Sequence, residues 1–109
     1  MKRMLTMIMV LPVLLLAQAP TLYINEFMAS NDSFWADDSG GFDEWIEIYN
    51  PGTDSVDIGG LWITDDLTDP ASHQLPDTVS AITTIPPGGF LILWADNESE
   101  QGPLHVEEK

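Results

Sequence analysis

The 109-residue chain carries 18 acidic side chains against three basic ones and two His, a formal charge of −15, and it has no Cys. Its residues are 44% apolar, which sets it apart from a disordered acidic tail. The missing Cys excludes a disulfide framework, a thiolate zinc site and a cysteine nucleophile, and the scarcity of Lys and Arg excludes phosphate neutralisation on nucleic acid.

Lys2 and Arg3 open the chain, and Met4 to Leu16 follow for 13 residues without a charge. Ala17-Gln18-Ala19 has the small-x-small form of a signal-peptidase site. A spanning helix needs about 20 apolar residues, so residues 1–19 are expected to be a signal-peptide helix, with a short N-terminal membrane anchor as the alternative. Cleavage leaves residues 20–109 as one domain, with 18 acids against Lys109 alone, a formal −17. Such a surface repels phosphate and anionic lipid and attracts divalent cations or basic partners. The expected location is secreted or cell-surface, with no stable membrane insertion after cleavage and no nucleic-acid partner.

Beyond residue 20 the chain reads as strands. Short apolar runs occupy Leu22–Met28, Glu44–Asn50, Ser55–Ile58, Leu61–Thr64, His73–Leu75 and Phe90–Ala95, with weaker runs at Ala81–Ile85 and Leu104–Val106. Between them lie Ser39-Gly40-Gly41, Asn50-Pro51-Gly52, Gly59-Gly60, Asp69-Pro70 and Pro86-Pro87-Gly88-Gly89, turn signals of an all-β sandwich or barrel. Alternation puts Ile46 and Ile48 on one face of their strand and Trp45, Glu47 and Tyr49 on the other. In the later run, Phe90, Ile92 and Trp94 oppose Leu91, Leu93 and Ala95. A strand apolar on both faces is usually central or covered twice. Trp45, Trp62, Trp94, Ile46, Ile48, Phe90 and Ile92 are therefore expected in the core, with Glu26 and Glu47 counted among its structural residues. An exposed aromatic platform for carbohydrate is the alternative for the tryptophans.

Three stretches resemble the lamin tail domain. Ile24-Asn25-Glu26-Phe27-Met28-Ala29-Ser30-Asn31 is similar to its opening strand, with an I-N-E start and an A-S-N finish. Asp43-Glu44-Trp45-Ile46-Glu47-Ile48-Tyr49-Asn50-Pro51-Gly52 is similar to its W-I-E-L-Y-N strand and turn. The third joins Val56–Asp66, with Gly59-Gly60-Leu61-Trp62-Ile63-Thr64-Asp65, to Ile85–Asp96, with Pro87-Gly88-Gly89-Phe90, resembling the family's G-W-x-L-T-D turn and P-G-G-Y/F strand start. The resemblance spans residues 22–106 and implies an immunoglobulin-like β-sandwich, a module of nuclear lamins and of many exported bacterial proteins. Gln101-Gly102-Pro103-Leu104-His105 looks like the family's approach to further strands. One or two closing strands are therefore expected to be missing, the chain being a truncated product, a fragment or a partner-completed unit. Nuclear partners do not carry over to an exported chain, and DNA association conflicts with a charge of −17.

Glu26 and Glu47 each interrupt an apolar strand. Two convergent carboxylates can do acid–base work or bind metal, but a Glu in a strand more often accepts hydrogen bonds from loop N–H groups. The resemblance attaches no catalytic role to either. Between Asn31 and Glu44 the loop holds Asp32, Asp37, Asp38 and Asp43, the best candidates for a weakly bound calcium ion, against solvated turns as the alternative. It is not an EF-hand, because counting from Asp37 places Phe42 at the required Gly. Asp65-Asp66 with Asp69 is sparser. His73 and His105 lack any nucleophile elbow or H-E-x-x-H partner, and His73 is expected at a strand edge. Asn31 and Asn97 begin N-x-S sequons. No catalytic residue and no cofactor are expected. The expected function is a non-catalytic, exported interaction or adhesion module of lamin-tail type, a fragment of a larger secreted or cell-surface protein with a protein or cell-surface partner. The alternatives are a calcium-dependent binding domain using the 31–44 loop and the non-catalytic N-terminal remnant of a secreted hydrolase.

Overall fold

The computed structural model describes residues 19–108. The signal peptide expected over residues 1–19 lies, except for its last residue, outside the described residues. Among the described residues no helix is long and apolar enough to cross a membrane.

The main layer is a four-stranded sheet in the order β1 (Tyr23–Met28), β2 (Glu44–Tyr49), β7 (Phe90–Ala95), β8 (His105–Val106). β2 pairs antiparallel with β1 and β7, and β8 lies parallel to β7. The β2–β7 register sets Ile46 opposite Leu93 and Ile48 opposite Leu91, and on the other face Trp45 opposite Trp94 and Tyr49 opposite Phe90. Both long strands are apolar on alternate positions of both faces, so each face needs its own cover. A register shift between Ile24 and Glu26 leaves Asn25 as an extra residue in β1.

Two short ribbons make the second layer. β3 (Val56–Asp57) pairs with β6 (Thr84–Ile85), and β4 (Trp62–Ile63) pairs with β5 (His73–Gln74). The buried cluster between the layers is Ile58, Leu75, Ile85, Leu93, Ala95 and Val106, with Ile48, Val56, Ile63 and Leu91 packed against it. This core therefore draws on the Leu91, Leu93, Ala95 face of β7 and not on its aromatic face. The expectation for Ala81–Ile85 is corrected. Ser80–Thr83 forms one helical turn, α1, before β6. The turn brings the buried Thr83 hydroxyl to donate to Asp57 Oδ1 at 2.6 Å, which an extended chain would not do.

The core expected from the sequence needs further correction. Trp62 is 53% exposed and Phe90 52% exposed. Trp62 pairs with Gln74 on the side of its ribbon turned away from Ile63, which alone packs inward. Phe90 lies on the outer face and stacks on Tyr49 with ring centroids 4.7 Å apart. Ile46, Ile48 and Ile92 are half-buried, while Trp45 and Trp94 are buried. Glu26 is exposed and Glu47 half-buried, both on the outer face, so neither belongs to the core.

Asn50 closes the β2 end. Its side-chain amide donates to Asp54 O at 2.8 Å, Ile85 O at 3.0 Å and Pro86 O at 3.2 Å, and its Oδ1 accepts from Gly52 N at 3.0 Å. One buried side chain thus joins the Asn50-Pro51-Gly52 turn to the strand of the opposite layer. Gly60 ends the β3 segment at φ 84, a left-handed conformation that costs glycine nothing.

Candidate functional site

The loop between β1 and β2 straps the outer face of the main sheet. Asn31, buried, holds its base: the amide donates to Trp35 O and Asp43 O, each at 3.0 Å, and Oδ1 accepts from Phe34 N at 3.0 Å. Trp35 then meets Trp45 and Trp94 edge to face, with centroids 5.7 and 5.8 Å apart. These contacts explain how the two strand tryptophans are buried outside the main core. Trp35 itself was not singled out by its sequence context.

Beyond Trp35 the loop turns at Asp37. Asp37 Oδ1 accepts from Ser39 N at 2.9 Å and Gly41 N at 2.8 Å. The turn drives the Asp37 carboxylate down to the sheet, beside Asp96 and His105. Because Trp94 is the parallel partner of His105, both side chains emerge on the strapped face. His105 Nδ1 stands 2.5 Å from Asp96 Oδ2, within hydrogen-bond reach. Asp96 Oδ1 accepts from Glu98 N at 3.0 Å. Asp37, Asp96 and His105 are all buried.

The four Asp of the expected calcium loop therefore separate. Asp37 turns inward, Asp43 is half-buried, and Asp32 and Asp38 are exposed. Among the described residues, two groups bring three ligand atoms within 4.8 Å of one another: Asp37 with Asp96 and His105, and Asp43 with Asp96 and Glu98. Asp32 and Asp38 join neither. Asp96 and Glu98 did not stand out in the sequence and His105 was weighed only as an isolated imidazole, because all three lie more than fifty positions from Asp37 and only the β2–β7–β8 pairing unites them.

A second feature lies on the core-facing side of β1. A groove of about 280 Å³ runs along Ile24, Phe27 and Ile46, with Glu44, Asp65 and Glu108 among its walls. Ile24 is 71% and Phe27 68% exposed. Glu108 is buried, and its Oε1 has no hydrogen-bond partner among the described residues. A smaller hollow of about 190 Å³ continues past Ile24 to Leu61 and Trp62.

Glu26 and Glu47 stand directly opposite each other across β1 and β2. Like charges in this arrangement repel. The Asn25 amide, freed by the bulge, donates to Glu47 Oε1 at 2.7 Å. His73 lies in β5, where its Nδ1 accepts from Glu107 N at 3.3 Å.

The profile of the lamin tail domain matches residues 16–108. No curated protein and no solved structure matches the chain. Lamin tail domains are immunoglobulin-like folds and generally non-catalytic interaction modules, in keeping with an all-β chain of two packed layers. With the match running through β1, the Trp45 strand, both ribbons and β8, this chain belongs to the lamin tail domain family.

Proposed function

We propose that the chain is an exported, non-catalytic interaction module that receives an extended segment of a partner protein along β1. The groove beside β1 carries this reading. β1 is an outer strand of the sheet, so its free edge offers main-chain donors and acceptors for strand addition. Its inward face is apolar and uncovered. The carboxylates of Glu108, Glu44 and Asp65 line the same groove, and the described residues contain no Lys or Arg to meet them. The fitting occupant is an extended segment with alternating apolar side chains and a Lys or Arg that meets the acidic wall of Glu44, Asp65 and Glu108. Lys2-Arg3, the apolar run after them and Ala17-Gln18-Ala19 support delivery of the module to the outside of the cell, secreted or on its surface.

The test is site-specific crosslinking from a photoreactive residue in place of Phe27, in the exported protein, with the crosslinked peptide identified by mass spectrometry. The expected product joins Phe27 to a Lys- or Arg-bearing extended segment of another surface or secreted protein. Ile24→Asp abolishes it and Glu108→Gln weakens it. The exported chain itself begins at or near Pro20. Absence of any crosslink, or crosslinks confined to a second copy or to further strands of a longer form of this chain, overturns the partner reading. Retention of the uncut leader overturns export with cleavage.

A further inference from the structure

We infer that Asp37, Asp96 and His105 bind a divalent metal ion of the zinc and manganese kind between the strap loop and the β7–β8 edge. Three observations converge on it. Asp37 is only 7% exposed, yet its Oδ2 accepts no hydrogen bond from the described residues. Among the described residues the nearest basic side chain is His105, whose Nδ1 stands at 4.0 Å, beyond hydrogen-bond reach and 2.5 Å from Asp96. A buried carboxylate oxygen without a donor is costly, and this one belongs to a group with Asp96 and His105 that can share a cation.

The spacing agrees. Bonds of about 2.0–2.2 Å from a zinc ion hold three ligand atoms roughly 3.2–3.5 Å apart. The observed separations, 2.5 Å from His105 Nδ1 to Asp96 and 4.0 Å to Asp37, fall on either side of that figure. An ion entering the cluster spreads the first pair by under about 1 Å and draws in Asp37 by about half as much. His105 then ligates through Nδ1, which must be free of a proton to do so.

The charge also closes. Two buried carboxylates face one imidazole, and the described residues contain no Lys or Arg. A divalent ion with two Asp and a neutral His brings the cluster to zero, where a protonated His105 leaves one negative charge in a buried site. The nitrogen donor selects against calcium and magnesium, which prefer oxygen alone, and in favour of zinc, with the more oxygen-preferring manganese behind it. Asp43 and Glu98 form a separate group with Asp96 and stand outside this ligand set. Gly41 keeps this space open: a Cβ there would stand 2.5 Å from Asp43 Oδ2 and 3.5 Å from Asp37 Oδ1.

Isothermal titration of the full chain with Zn²⁺, Mn²⁺ and Ca²⁺ tests the site. One Zn²⁺ per chain is expected, with Mn²⁺ weaker. Asp37→Asn and His105→Gln should each lower the affinity by more than the roughly 10–100-fold typical of an outer-shell partner, and His73→Gln should leave it unchanged. Because either buried variant can fail to fold, the unsubstituted chain provides a second readout. On adding Zn²⁺, ¹⁵N NMR should move Nδ1 of His105 and leave the His73 nitrogens in place, and the melting temperature should rise. No zinc uptake, uptake that shifts His73 instead, or binding of calcium alone overturns the inference.

Discussion

Asp57 shows how a single residue sets part of the acid limit of this fold. The Thr83 hydroxyl donates to its carboxylate, the Gly59 N–H adds a second bond at 2.8 Å, and together they hold its pKa below the ordinary 3.8. The folded value lies below the unfolded one. The stabilisation from these bonds is therefore complete above pH 3.8 and disappears as the pH falls through the lowered value. Asp57→Asn keeps an acceptor for both donors and removes the titration. Denaturant unfolding followed between about pH 2 and about pH 5 should show a shallower loss of stability in this variant than in the unsubstituted chain. An unchanged slope would show that Asp57 does not contribute. Asp57 was not distinguishable from the other turn acids in the sequence, because its partner Thr83 lies 26 residues away and meets it only through the α1 turn.

At the scale of elements, the β1–β2 loop acts as a strap with two attachments, one aromatic and one polar. Trp35 sits at φ 59, an uncommon conformation for a bulky residue. It persists because the Asn31 amide holds Trp35 O and the ring is wedged between Trp45 and Trp94. Each edge-to-face contact is worth about 0.5–1.5 kcal/mol beyond area burial, so Trp35→Ala should cost about 1–3 kcal/mol in denaturant unfolding. It should also shift the fluorescence of Trp45 and Trp94 to the red as water reaches them. A loss below about 0.5 kcal/mol would mean that the strap does not protect the strand tryptophans. The long strands were legible because their alternation is strict and their ends carry turn residues: Phe90–Ala95 has the bounds expected, and Tyr23–Met28 and Glu44–Tyr49 differ from expectation by one residue. The two-residue ribbons were less so. So short a strand has no period, and its inner and outer residues, such as Ile63 and Trp62, are told apart only by what lies opposite.

For the whole molecule, charge is the dominant condition. Residues 20–109 bear 18 acids against Lys109, so the compact state works against its own repulsion. The Debye length falls from about 30 Å at 0.01 M salt to about 8 Å at 0.15 M. The melting temperature of the 20–109 chain should therefore rise over that range with sodium chloride, a salt whose cation has no claim on the Asp37 cluster. A melting temperature that stays level or falls would show that the acids are spread widely enough not to oppose folding. Salt should also weaken a partner with a basic segment bound at β1, by screening the attraction to Glu108, Glu44 and Asp65.

Sequence alone determined the class: alternating runs between Gly, Pro and Asn breakers make strands, and the ordered motifs from Ile24 to Asp96 identify the lamin tail domain. It did so because side-chain period and turn chemistry are local properties of the chain. Only the tertiary structure decided which face of each strand is core. Trp45 and Trp94 could be read as inward, yet they lie under a strap on the outer face, while Trp62 and Phe90 stay half in water. The Asp37, Asp96, His105 cluster and the open groove at β1 likewise exist only through pairing between distant strands, since a site built from three segments has no spacing along the chain to read.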